Sequence, residues 1–129
     1  KGKYLLGICL GHQLLFDVSF EDGQHNGFGL IKGEIIKFND SNYKIPHIGW
    51  NNLELKEDFV FQGIENRSMV YFVHSYYAKC SDEFVIAYSD YCGHQFAAAV
   101  RKKNILGMQF HPEKSGKIGL KMLKNFGEL

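Results

Sequence analysis

The sequence predicts an α/β fold built on a mixed sheet, with strands crowding its second half. Three observations carry this. A short apolar segment, Tyr4-Leu5-Leu6, runs into Gly7-Ile8-Cys9-Leu10-Gly11 and then into helically spaced residues from Gln13 to Phe20. Apolar segments of strand length recur at 69–74, 84–89, 96–101 and 105–110. An amphipathic segment after Pro112 then closes the chain.

Taken in order, Tyr4 to Ile8 reads as a buried strand. Glycines two positions either side of Cys9 mark a turn so sharp that a Cβ there is expected to strike backbone. Gln13 to Phe20 reads as a helix, with Leu14, Leu15 and Val18 on one face. Glu21 to Gly29 is a glycine-rich loop, and Leu30 to Phe38 alternates as a strand. Asn39 to Asn42 reads as a turn and Pro46 to Asn51 as a loop of unusual side chains. Leu53 to Leu55, Met69 to His74, Phe84 to Ser89, Phe96 to Arg101 and Ile105 to Phe110 read as strands, the last two joined at Lys102-Lys103-Asn104. Ser115 is the expected cap of the final helix, whose apolar stripe is Ile118, Met122, Leu123 and Phe126.

The bulk properties narrow the function classes. The chain has 129 residues, 45% hydrophobic and 22% charged, which suits one globular domain over 1–129. A net charge of +1 gives no electrostatic case for nucleic acid or an anionic membrane as partner. No apolar run approaches the roughly 20 residues of a membrane-spanning helix. Cys9, Cys80 and Cys92 show no C-x-x-C or zinc-type spacing, and His25, His47 and His94 no ligand pattern. These features predict no metal, no cofactor and a reducing, cytoplasmic setting. Cys80 and Cys92, in polar loop-like contexts, read as incidental.

Strand, tight turn, cysteine and helix in succession form the cysteine version of a nucleophile elbow. The free N–H groups and positive dipole end of the helix are expected to favour thiolate over thiol at Cys9. A thiolate so placed attacks carbonyl carbon. His111-Pro112-Glu113 follows the strand ending at Phe110. Proline keeps His111 extended, so His111 and Glu113, two apart, face one side. The imidazole can deprotonate Cys9 and protonate a leaving amine, and the carboxylate can hold its tautomer. Taken singly, Cys9 reads as a small core hydrophobe and His111 as structural. Together, at opposite ends of one chain, they read as a Cys-His-Glu triad.

With these residues in hand, the chain resembles the class I glutamine amidotransferases. The likeness rests on Gly7-Ile8-Cys9-Leu10-Gly11-His12-Gln13 and Gln109-Phe110-His111-Pro112-Glu113. Gly27 to Ile31, Pro46 to Asn51, Tyr71 to Tyr77 and the ending around Gly119-Leu120 and Asn125-Phe126 extend it over essentially the whole chain. These further stretches are most similar to the branch of glutaminase subunits serving a (β/α)8-barrel cyclase of histidine biosynthesis.

The resemblance implies the family's flavodoxin-like three-layer fold, here its C-terminal portion. It implies hydrolysis of L-glutamine through a thioester on Cys9, with His111 as proton shuttle and Glu113 as its orienting carboxylate. The Leu10 N–H would serve the oxyanion hole. Gln13 and Glu21 would contact glutamine through side chains, and Ser75 and Tyr76 through backbone. Trp50, Tyr71 and Lys114 would sit at the mouth passing ammonia to the barrel partner. By their residues alone, Glu21 and Lys114 read as solvated charges and Trp50 as core packing. His12 stands where this branch often carries methionine. Three other readings fit the same motifs: a paralogue supplying a surface-sugar amidotransferase, a partner-free hydrolase of γ-glutamyl substrates, and an inactive binding domain. Because the nucleophile strand begins near residue 1, the family's N-terminal strands and the loop giving a second oxyanion donor are expected to be missing. Loss of one such donor costs about 3–4 kcal/mol in the transition state.

Overall fold

A computed structural model of the chain describes residues 2–39 and 42–129. Along it run β1 (Leu5–Ile8), α1 (Leu10–Gln13), β2 (Phe16–Ser19), β3 (His25–Asn26), β4 (Ile31–Lys37), β5 (His47–Asn52), β6 (Glu54–Leu55), β7 (Met69–His74), β8 (Tyr76–Cys80), β9 (Val85–Tyr91), β10 (His94–Lys102), β11 (Ile105–Met108) and α2 (Gly116–Gly127). Single 3-10 turns stand at Phe59–Phe61, Asp82–Phe84 and Pro112–Lys114.

The α/β, strand-rich expectation holds. Nine strands make a mixed sheet with the path β1-β11-β10-β8-β4-β2-β3, while β6 and β9 branch from it and β5 pairs β7 separately. The nine-residue β10 is the trunk. It meets β8 at Ala97↔Ala78, β9 along His94 to Val100, and β11 from Ala99↔Met108. The β9–β10 turn needs left-handed backbone at Cys92 and Gly93, with φ of 55° and 75°. For the site, the decisive pairing is β1 parallel to β11, with Ile8 opposite Met108. It brings the residue after β1, Cys9, and the start of the His111 segment to the same end of two neighbouring strands.

Four sequence expectations fail. The helix from Gln13 to Phe20 is one turn, α1, followed by strand β2. Leu14 is exposed, while Leu15 and Phe16 are buried. The loop decides this. Phe28, Leu30 and Gly29 donate to the carbonyls of Leu14, Leu15 and Phe16, and the Phe16 strand pairs Ile31 of β4. Over eight residues, periods of 2 and 3.6 are not distinguishable, so the distant partner settles the element. Pro46 to Asn51 is not a loop, because 47–52 pairs β7 in register from His47↔His74 to Asn52↔Met69. Its Gly49, at φ 129°, mimics a turn signal. β1 is not fully buried, since Leu5 is exposed. Cys80 lies on β8 and Cys92 is buried at the β9–β10 turn, so neither thiol sits in a polar loop. The turn expected at Asn39 to Asn42 includes positions 40 and 41, outside the described residues.

Two apolar clusters fill the fold. One joins Phe38, Phe72, Phe96, Phe110, Leu106 and Met122. The other joins Leu15, Phe16, Ile31, Ile35, Val85 and Val100. Each fully buried Phe stabilises by about 2–3 kcal/mol. Helix α2 lays Met122 into the first cluster, with Ile118 and Phe126 packed at its edge. Its buried Asn125 amide donates to the carbonyls of Val60 and Gln62. Ser115 precedes α2 yet makes no side-chain cap. Its hydroxyl instead donates to the His111 carbonyl and accepts the Tyr71 N–H, binding the 111–115 segment to β7.

Candidate active site

Cys9 stands where β1 ends, at φ 55° and ψ −104°. A non-glycine residue held there stores about 1–3 kcal/mol of strain. The elbow is enforced from one side. A Cβ on Gly7 would lie 2.5 Å from the Gly11 carbonyl oxygen, whereas a Cβ on Gly11 meets nothing within 4 Å. The expectation of two obligatory glycines therefore holds for Gly7 alone. The Cys9 N–H donates to Met108 O at 2.7 Å, which seats the cysteine beside Gln109. Its thiol faces Val73 O at 3.8 Å and receives the Gln109 Nε2–H at 3.8 Å.

The expected thiolate is not favoured in this resting geometry. Burial pushes the Cys9 thiol up, and the carboxylates of Glu113 and Glu21 push the same way. The Leu10 N–H and the Lys114 ammonium pull it down without prevailing. With only four residues, α1 has too little dipole to offset desolvation. Cys9 is therefore a thiol at rest and needs a base.

His111 emerges from β11 with its N–H on Tyr71 O, and its Nδ1 bonds Glu113 Oε2 at 2.7 Å. A carboxylate only accepts, so Nδ1 carries the proton and Nε2 is left as the basic nitrogen. No hydrogen bond joins Cys9 and His111 here. Catalytic pairs often tighten only once substrate is bound.

A cavity of about 250 Å³ opens on Cys9, lined by Leu10, Gln13, Glu21, Val73, His74, Ser75 and Tyr76. Every residue that the sequence suggested for oxyanion or substrate contact is therefore in one wall. Gln13 donates to Tyr76 O at 3.3 Å and to Gln109 Oε1 at 3.0 Å. Trp50 and Tyr71 pair across β5 and β7, rings 5.9 Å apart. Trp50 is 52% exposed, so the core-packing alternative fails. Lys114 is exposed on the turn that Ser115 ties to Tyr71.

Sequence reasoning missed Gln109, His47 and His74. Gln109 is fully buried against the thiol. An amide inside the apolar Gly107-Met108-Gln109-Phe110 segment was the available signal. His12, below the elbow, is fully buried, and neither ring nitrogen has a partner. Burial lowers its pKa to about 3. Among the described residues, no cluster of three or more His, Cys, Asp or Glu could hold a metal. Nor is any helix among them long and apolar enough to cross a membrane.

Comparison with known proteins gives a consistent answer. The model of the family "Glutamine amidotransferase class-I" matches residues 1–128. The chain is 55% identical over 129 residues to "Imidazole glycerol phosphate synthase subunit HisH 1" of Campylobacter jejuni, covering 98% of this chain and 64% of that protein. It is 56% identical over 126 residues to "Imidazole glycerol phosphate synthase subunit HisH" of Bacillus cereus, covering 97% and 59%. The chain thus spans less than two thirds of the length of these relatives. Among solved structures, it is similar to a putative GMP synthase protein from Thermoplasma acidophilum, with TM-score 0.67 and 22% identity over 95% of this chain and 55% of that one. A Thermotoga maritima glutamine amidotransferase follows with TM-score 0.61 and 18% identity, covering 95% and 46%.

Proposed function

The chain belongs to the class I glutamine amidotransferases, and from that premise we propose that it is the glutaminase part of an imidazole glycerol phosphate synthase. The observation that carries this reading is the cavity that holds Cys9 together with Leu10, Gln13, Glu21, Ser75 and Tyr76. A glutamine side-chain amide would enter it carbon-first. The Cys9 thiol proton passes to His111 Nε2 as sulfur attacks the amide carbon. The oxyanion accepts from the Leu10 N–H, and Glu113 stabilises the imidazolium through Nδ1. His111 then protonates the leaving nitrogen, and ammonia departs from a γ-glutamyl thioester. Water, deprotonated by His111, cleaves the thioester to glutamate and regenerates the thiol. Glu21 supplies a negative charge for the α-ammonium, and the Ser75–Tyr76 backbone meets the α-carboxylate end.

Ammonia would leave toward a (β/α)8-barrel cyclase partner past Trp50, Tyr71 and Lys114. Exposed Trp50, packed against half-buried Tyr71, supports a contact there, since half-exposed aromatics are frequent anchors of interfaces. The three cysteines, none in a disulfide, suit a reducing cytoplasm. The test is glutamate release from glutamine by the intact protein, with and without its barrel partner. Turnover is expected to be low alone, to rise with the partner and its nucleotide ligand, and to vanish in Cys9→Ala. Unchanged turnover in Cys9→Ala would sink the mechanism.

A further inference from the structure

His47 and His74 face each other across the β5–β7 pair, at the register position His47↔His74. Both are buried. His47 Nδ1 lies 3.0 Å from His74 Nε2, and His74 Nδ1 lies 2.8 Å from the Tyr76 carbonyl oxygen. At the other end, Asn51 Nδ2 lies 3.3 Å from His47 Nε2. Proton positions follow from the two ends independently. The Tyr76 carbonyl can only accept, so His74 carries its proton on Nδ1 and offers a bare Nε2. Asn51 Oδ1 accepts the Asn52 N–H, and Asn51 Nδ2 donates to Asp90 O, so the amide nitrogen is the atom facing His47. His47 Nε2 is therefore bare and its Nδ1 carries the proton. Both ends agree on one arrangement, in which every donor meets an acceptor. A second proton on either ring would set two donors face to face.

The pair is also held in place sterically. His47 stacks on Tyr91 at 3.9 Å and on Phe72 at 4.8 Å, and His74 packs against Phe38 and Phe96. This aromatic shell keeps both rings neutral at pH 7: burial lowers the pKa of His47 to about 4 and that of His74 to about 3.

The chain of donors ends in the cavity wall. Tyr76 O, which takes the His74 proton, also takes one amide hydrogen of Gln13, and Gln109 Oε1 takes the other. With both hydrogens committed, Gln13 has only its carbonyl oxygen to offer a ligand. From this geometry we infer that His47 and His74 are positioning residues, a proton-ordered neutral pair that fixes the Tyr76 carbonyl and so sets Gln13 as an acceptor toward the glutamine α-ammonium. The inference rests on the glutaminase reading above and extends it to two residues that touch no reacting atom.

The test uses the intact protein with its barrel partner. His47→Phe keeps a ring to stack on Tyr91 and Phe72 but has no donor for His74. Loss of that one hydrogen bond predicts a rise of about tenfold in KM for glutamine with kcat within about threefold. His47→Asn places an amide N–H where Nδ1 stands and should recover KM to within about twofold of wild type. His47→Gln, whose amide reaches the Nε2 position instead, should not. A KM for His47→Phe equal to wild type, or a fall in kcat at unchanged KM, overturns the inference. Nitrogen-15 NMR of the wild-type imidazoles at pH 7 decides it even where a variant fails to fold. Protonated Nδ1 and bare Nε2 on both rings support the pair, and a proton on Nε2 of either overturns it. Wild-type protein that releases no glutamate would instead remove the glutaminase reading, and the NMR result would still stand by itself.

Discussion

Replacing His12 by methionine should stabilise the fold, and more so in acid. The imidazole is fully buried below the Cys9 elbow, edge-on to Phe16 with centroids 5.4 Å apart, and both nitrogens are unpartnered. A buried polar group without a partner costs about 1–3 kcal/mol, and a thioether carries no such cost. His12→Met should therefore gain on the order of 1–3 kcal/mol at pH 7. The acid increment follows from linkage. The unfolded chain takes up a proton near the ordinary value of 6.5, while the folded ring, lowered to about 3, does not. The unfolded state then binds more protons, so stability is present above pH 6.5 and is lost as pH falls toward 3. At about pH 5 this costs about 2 kcal/mol per such histidine, so the advantage of methionine should widen by about that amount between about pH 7 and pH 5. His47 and His74 act in the same direction and remain in the variant. Urea unfolding at the two pH values reads both effects, through midpoints and a common slope. A variant less stable at pH 7, or one whose gain is the same at both pH values, would refute the account of His12 as an unpaired neutral ring.

Two further outcomes follow from the elbow. A raised pKa leaves less thiolate at any pH, so iodoacetamide should modify Cys9 at pH 7 more slowly than a free cysteine, with the rate still climbing above about pH 9. Fast labelling that levels off below about pH 8, located on Cys9 by peptide mass, would contradict the burial argument. Gly7→Ala must displace backbone at Gly11 and should lose about 1–3 kcal/mol in thermal or urea unfolding. Gly11→Ala meets open space inside α1 and should be neutral or gain up to about 1 kcal/mol; equal losses in both would show that the turn is not held by the Gly7 approach.

How much of this was legible in the sequence divides by range. Met69 to His74 matches β7 residue for residue, β8 (Tyr76–Cys80) has no counterpart among the expected strands, and β9, β10 and β11 differ from expectation by only one or two terminal residues. Those elements are joined by short turns, so local alternation decides them. The placement of Cys9 and His111 at one end of the sheet was legible for a similar reason. Cysteine and histidine sit at the ends of two adjacent parallel strands, and chemistry-bearing side chains leaving strand ends are conspicuous in sequence. The failures fall where a remote partner decides the element. Residues 16–19 become a strand because the 27–31 loop zips onto them. Residues 47–52 become one because β7, well downstream, supplies the ladder.

The state of the nucleophile was misread for the same cause at a smaller scale. The glycine-cysteine-glycine pattern reveals the turn but not what covers the sulfur. Val73 O, the Gln109 amide and the carboxylates of Glu21 and Glu113 reach Cys9 from separate segments, and together with burial they outweigh one turn of helix. The geometry around Cys9 thus separates two tasks that the motif combines. The elbow aims the sulfur, whereas in the proposed mechanism its activation waits on a proton passing to His111 with substrate in the cavity. A thiol that stays protonated until then is protected from oxidation in the empty site, because the thiolate is the form oxidants attack.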